Sequence, residues 1–203
     1  MLSHATRLEL IHSVFSAIPV YYMANILFSK KFIAKLTTVI RNFWWTGVRE
    51  TDSKKSLCLR AWKDICNSKT EGGLGIRNLK AINEGLILSA VWRLAKAPSS
   101  HLYLVLKAKY FPDTSIWRAT TTPPKYAFWA SILKMLPKLT CHAFYQLTSG
   151  NLSLWSMPWC NLWHTIYDSL IPQQAGFIYP SLVRELWMPG QKSWNHDLIF
   201  SLF

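Results

Sequence analysis

Metal-dependent phosphoryl or nucleotidyl transfer needs two or three carboxylates gathered around divalent ions. The chain has Asp52, Asp64, Asp113, Asp168 and Asp197, with Glu9, Glu50, Glu71, Glu84 and Glu185, and no two are adjacent. It contains no G-x-x-x-x-G-K-[ST] phosphate loop and no G-x-S-x-G nucleophile elbow. An autonomous active site is not expected. Cys141-His142 and Cys160-x-x-x-His164 supply zinc-type ligands. However, neighbouring residues such as Cys141 and His142 are poorly disposed to share one tetrahedral ion. Reduced thiols and ordinary imidazoles are expected instead, with no metal or cofactor.

What remains is charge. The 23 Lys+Arg against 10 Asp+Glu give a formal net charge of +13. Such an excess points to a polyanion, either nucleic acid or an anionic membrane surface. Between Lys30 and Lys69 there are ten basic residues against three acids. Contacts of this kind bind phosphates without reading sequence and weaken with salt. Trp44-Trp45 could stack on bases beside them, although packing in a core is the stronger expectation. Glu71-Gly72-Gly73-Leu74-Gly75 reads as a tight turn into a helix. The alternative is a backbone cradle for a nucleic-acid phosphate, flanked by Lys69, Arg77 and Lys80.

These groups must be carried by helices. Leu8, Ile11, Phe15 and Ile18 share one face of a helix over 3–17, which Pro19 ends or kinks. Ser29 caps a second helix to about Trp45, with Phe32, Leu36, Val39, Ile40 and Phe43 as its apolar stripe and Gly47 as its stop. The segment 48–56 reads as a loop, Leu57–Leu59 as a short strand and Ala61–Cys66 as a short helix or turn. Asn78 caps a third helix to about Lys96, and Pro98 separates it from a fourth over 99–109. A loop over 113–124 precedes a helix over 126–136. Leu152, Leu154 and Trp155 suggest short strands, and helical pieces follow around 181–186 and 195–203. The fold class is mostly α, with minor β at most.

Half of the residues are hydrophobic and 16% are charged, which excludes wholesale disorder. Residues 1–110 hold 17 Lys/Arg against 6 acids and four Trp; residues 111–203 hold 6 against 4 and seven Trp. Two subregions are therefore expected, a basic helical one over 1–110 and a Trp-rich one over 111–203. The longest apolar stretch, 18–28, is broken by Pro19 and Asn25 and is shorter than the ~20 residues that span a bilayer. With no signal-peptide pattern, nuclear or cytoplasmic residence rather than secretion is the expectation.

Several phrases resemble the region just after the polymerase palm in plant non-LTR (LINE-type) retrotransposon reverse transcriptases. Residues 3–19 (SHATRLELIHSVFSAIP) are similar to that family's thumb-helix phrase. Ile40-Arg41-Asn42-Phe43-Trp44-Trp45-Thr46-Gly47 is similar to its R-x-F-L-W-G-G. Residues 61–66 and 69–79 resemble its W-x-x-V-C-x-P-K-x-x-G-G-L-G-I-R-x-L. Asn83, Trp92-Arg93-Leu94, residues 106–112, Trp129 with Ile132-Leu133, and residues 154–159 follow in the same order. The likeness runs over about residues 3–160 and is weak beyond. Thr6 departs from a usual Gly, Ser68 from a Pro, Met157 from an Asp, and Ser89-Ala90 from Lys-Trp.

The resemblance implies a helical thumb-like bundle followed by a small α+β aromatic-rich region. It implies origin in an RNA-directed DNA polymerase. The palm, with its adjacent aspartates, would precede Met1; a zinc-binding segment and an RNase H domain would follow Phe203. This chain is then expected to be a fragment, non-catalytic by itself, gripping template–primer duplex. Lys30, Lys31, Lys35, Arg41, Lys69, Arg77 and Lys80 would make the phosphate contacts. The alternatives are a repurposed basic nucleic-acid-binding module, a membrane-surface protein, or a decayed pseudogene product without activity.

Overall fold

Ser3 has extended backbone angles and its hydroxyl accepts the Thr6 N–H, which opens α1 over His4–Leu10. In the computed structural model, which describes residues 2–47, 58–119, 126–163, 166, 169–170 and 178–203, this helix does not continue regularly to residue 17. It widens into a π segment, Ile11–Phe15, and the Ser16 N–H donates to the Ile11 carbonyl five residues back at 2.9 Å. Pro19 lacks an N–H and stands at the start of a single turn, α2, Val20–Met23.

The longer helices begin where the sequence places their caps. Ser29 accepts the Phe32 N–H and opens α3, Lys30–Thr46, which Gly47 ends in the left-handed region at φ 69°. The expected stripe is rotated slightly. Ile40 and Trp44 are buried, whereas Phe32 is 46% exposed and meets Phe28 edge-on at 4.8 Å. After the short α4, Trp62–Ile65, and a 3₁₀ turn, Lys69–Glu71, Asn78 opens α5, Leu79–Lys96. Its Oδ1 accepts the N–H groups of Lys80 and Ala81. Ser100 caps α6, His101–Tyr110. A 3₁₀ turn over Ile116–Arg118 falls within the expected loop.

α7 spans Ala127–Thr140, four residues beyond the expected end. Pro137 lies inside it: a proline removes one backbone bond, yet the helix carries on for another turn. A 3₁₀ turn, Val183–Leu186, and α8, His196–Leu202, capped by Asn195, complete the order. The architecture is mostly α. Its β component among the described residues is two isolated antiparallel bridges, Ser153 with Leu182 and Trp187 with Trp194. Cys58 and Leu59 have no regular structure; Leu57 and the rest of the loop over 48–56 lie outside the described residues. Among the described residues no helix is long and apolar enough to cross a membrane.

The chain divides into two compact units, residues 1–90 with 123–135 and residues 91–122 with 136–203. The divisions fall inside α5 and α7. They follow contacts, whereas the boundary near 110 in the sequence follows charge and composition. The first unit packs Ile11, Met23, Ile40, Trp44, Ile65, Ile76 and Leu79 as a buried cluster. Burying a side chain of this size stabilises by about 1.5–3 kcal/mol. The second unit contains a smaller cluster of Leu154, Val183, Leu186 and Leu202.

Candidate nucleic-acid interface

Two buried polar side chains fix the elements that carry the basic residues. Arg7, 5% exposed, donates Nη1 to the carbonyls of Trp44 (3.0 Å) and Trp45 (3.3 Å), and Nε to that of Leu2 (3.1 Å). The Trp44 and Trp45 carbonyls lie at the end of α3, where a cation also meets the negative end of the helix dipole. A Cβ on Gly47 would sit 2.7 Å from the Arg7 guanidinium. Asn83, fully buried in α5, donates Nδ2 to the carbonyls of Met23 and Ile26 and accepts the Phe28 N–H. The connection into α3 is thereby tied to α5. Ser131 adds a further bond, accepting the Leu27 N–H at 2.8 Å.

The glycine turn is a packing device. A Cβ on Gly73 would lie 2.2 Å from the Asn67 carbonyl oxygen, while Gly72 and Gly75 have φ of 78° and 67°. The N–H groups of Gly72, Gly73, Leu74 and Gly75 donate to the carbonyls of Lys69, Ser68, Ile65 and Asn67 respectively. None is left over for a phosphate, so the backbone-cradle alternative gives way to the turn. Trp44 and Trp45 also serve packing: Trp44 is 8% exposed and edge-on to His4 at 5.3 Å, and Trp45 packs against the same core cluster.

The basic residues separate into groups. Lys30, Thr37 and Arg41 are spaced i, i+7 and i+11 and share one stripe of α3. Lys31 and Lys35, at i and i+4, lie on another. Lys30, Lys31, Lys35, Lys69, Arg77 and Lys80 are exposed, and Arg41 is half-buried with Nε unpaired. Lys80 sits 3.9 Å from Glu84 on the same helix face, an exposed pair worth little. Lys69 lies on the 3₁₀ turn before Gly72.

A cleft of about 400 Å³ opens beside the Thr37 stripe. α3 contributes Thr37 and Ile40; α4 and its end contribute Trp62, Lys63, Cys66 and Asn67; the approach to α5 contributes Ile76, Arg77 and Asn78. The structure thus brings Arg77 to Lys63, a residue absent from the expected contact set. The face of a four-residue helix is unreadable from periodicity, so only its place in the basic run hinted at it. Among the described residues no carboxylate lines this cleft. A second cavity, of about 300 Å³ against Gly72 and Gly73, sets Asp64 near Arg60 and is charge-balanced. Burial pushes the Cys66 thiol above its ordinary value, which keeps it protonated and a poor nucleophile. No group of three metal-type ligands occurs among the described residues; His164 lies outside them.

Over 119 residues, 58% of this chain, the sequence is 35% identical to "Uncharacterized mitochondrial protein AtMg00310" of Arabidopsis thaliana, and the match covers 75% of that protein. The chain belongs to that protein's family. A further relative from the same plant, "Putative ribonuclease H protein At1g65750", is 39% identical over 109 residues. That match is 54% of this chain and only 17% of the longer relative. Relatives of these kinds are typical of plant retrotransposon-derived sequences. No family model and no solved structure matches the chain.

Proposed function

We propose that this chain is the thumb and post-thumb part of a LINE-type reverse transcriptase, non-catalytic by itself, and that it grips template–primer duplex through phosphate contacts. The observation that carries the reading is the basic surface around a cleft that no carboxylate of the described residues lines. It combines the Lys30–Arg41 stripe of α3 with Lys63 and Arg77, on a helical scaffold held by Arg7 and Asn83. The relative named as a ribonuclease H protein supports it, because the matching region is a small part of a much longer chain. The mitochondrial relative, three-quarters covered, favours a second reading in which the same unit acts as a free-standing nucleic-acid-binding module.

Phosphate contacts release counterions, so log affinity falls with log salt by about 0.9 per contact on duplex. Exchanging Lys30, Arg41, Lys63 and Arg77 together for Gln should flatten that slope by about three to four units. An unchanged slope would overturn the assignment. Adding the palm of a parent element separates the two readings: a thumb raises its processivity, and a free-standing module leaves it unchanged.

A further inference from the structure

We infer that the cleft between α3, α4 and the start of α5 takes one unpaired nucleotide, with its base against Trp62 and its phosphate on Lys63 and Arg77. The inference rests on the nucleic-acid reading above and names what that surface selects. Three features of the cleft support it.

The first is division of character. Ile40, Trp62, Ile76 and Leu79 supply apolar lining, while Thr37, Asn67 and Asn78 offer hydroxyl and amide groups. A nucleobase has the same two aspects, an apolar face and a polar edge. Aromatic stacking accepts any base, because every base has a π face. Trp62 is half-buried, so it is anchored in the core cluster while still lining the opening.

The second is charge. Lys63 and Arg77 are exposed, with no carboxylate among the described residues that line the cleft. At the start of α5 the Lys80 and Ala81 amides are taken by Asn78 Oδ1 and the Ile82 amide by the Asn78 carbonyl, so the attraction for an anion is assigned to the Lys63 and Arg77 side chains. The cavity against Gly72 and Gly73 lacks this property, since Asp64 would repel a phosphate there.

The third is size. At about 400 Å³ the cleft falls in the range of small-ligand sites and admits one nucleotide, not a duplex. A paired base is stacked on both faces inside the helix. Only a base at a bulge, a gap or a single-stranded end is free to enter.

The test uses the full chain with two DNA duplexes, one fully paired and one carrying a single unpaired 2-aminopurine. The expected result is about tenfold tighter binding of the bulged duplex, with 2-aminopurine emission quenched on binding. Trp62→Leu should bring the ratio of the two affinities to about one, and Trp62→Phe should keep it. Helix content by circular dichroism checks that both variants fold. Alkylation of Cys66 on the cleft wall should slow when the bulged duplex is bound, while exposed Cys141 reacts as before. Equal affinity of the unaltered protein for both duplexes would overturn the inference and leave phosphate grip intact. A preference that survives Trp62→Leu would also overturn it. Binding to neither duplex would remove both readings.

Discussion

The two units solve the same problem with different side chains. The first fastens its loops and helix ends with buried polar groups: Arg7, Ser16, Asn83 and Ser131 all belong to it. Each bonds backbone atoms, and most of these would otherwise be orphaned. Among the described residues of the second unit no polar or charged side chain is buried in that way. There the polar edges of aromatic rings satisfy the carbonyls. Trp155 Nε1 donates to Pro180, Trp159 Nε1 to Leu154, and the Tyr145 hydroxyl to Ala95. A chain with long helices can satisfy most of its backbone internally and needs polar ties only at the ends. A region with little regular structure has carbonyls to satisfy throughout, and indoles do this while also supplying apolar area.

The largest expected effect that would break this contrast is at Asn83. Asn83→Ala leaves the Phe28 N–H and two carbonyls without their partner, at a cost of about 3 kcal/mol or more. Chemical denaturation should show it, with amide exchange accelerating first around residues 23–28. A loss below about 1 kcal/mol, the net worth of one ordinary hydrogen bond, would mean that Asn83 is not what ties this connection to α5. Next comes Arg7→Met, which keeps the length and loses the bonds to Trp44 and Trp45; about 2–3 kcal/mol is expected. Gly47→Ala should follow at about 1–2 kcal/mol, since φ 69° disfavours a Cβ that would also press on Arg7.

In the second unit, single replacements should matter less. Trp155→Phe removes the bond to Pro180 and keeps most of the ring, so about 1 kcal/mol is expected by denaturation. The smallest effect is one of pH. Burial raises the Tyr103 phenol, with a further push from Tyr145, and burial raises Tyr145 against a weaker lowering contact from Trp117. Both are protonated in folded and unfolded chains at neutral pH. Above about pH 10 the unfolded phenols ionise first, so stability falls as pH rises further. Replacing both by Phe should flatten the alkaline limb of a melting curve, and an unaltered limb would contradict that direction.

Much of the helical frame was legible because caps are local. Ser29 and Asn78 stand where a short polar side chain must accept an N–H, and Gly47 where φ turns positive. The π segment was not legible, since one added residue in a turn leaves no compositional trace. The ties made by Arg7 and Asn83 were hidden for another reason: they join residues 37 and 60 positions apart in sequence. The cleft was half visible. Arg77 was marked by charge, but its juxtaposition with Lys63 and Trp62 depends on how a four-residue helix packs. Strands suggested by Leu152, Leu154 and Trp155 reduce to a single bridge because indole bonds to carbonyls take the place of a ladder.

The π segment over Ile11–Phe15 also bears on how the sequence can change in length. A π turn carries one residue more than an α turn. Deleting Ser13, an exposed member of that turn, would let the segment close into ordinary helix. Arg7 on one side and Pro19 on the other would keep their helical phase. The start of the chain thus contains one surplus position, where the loss of a single codon can be absorbed without moving the residue that closes α3.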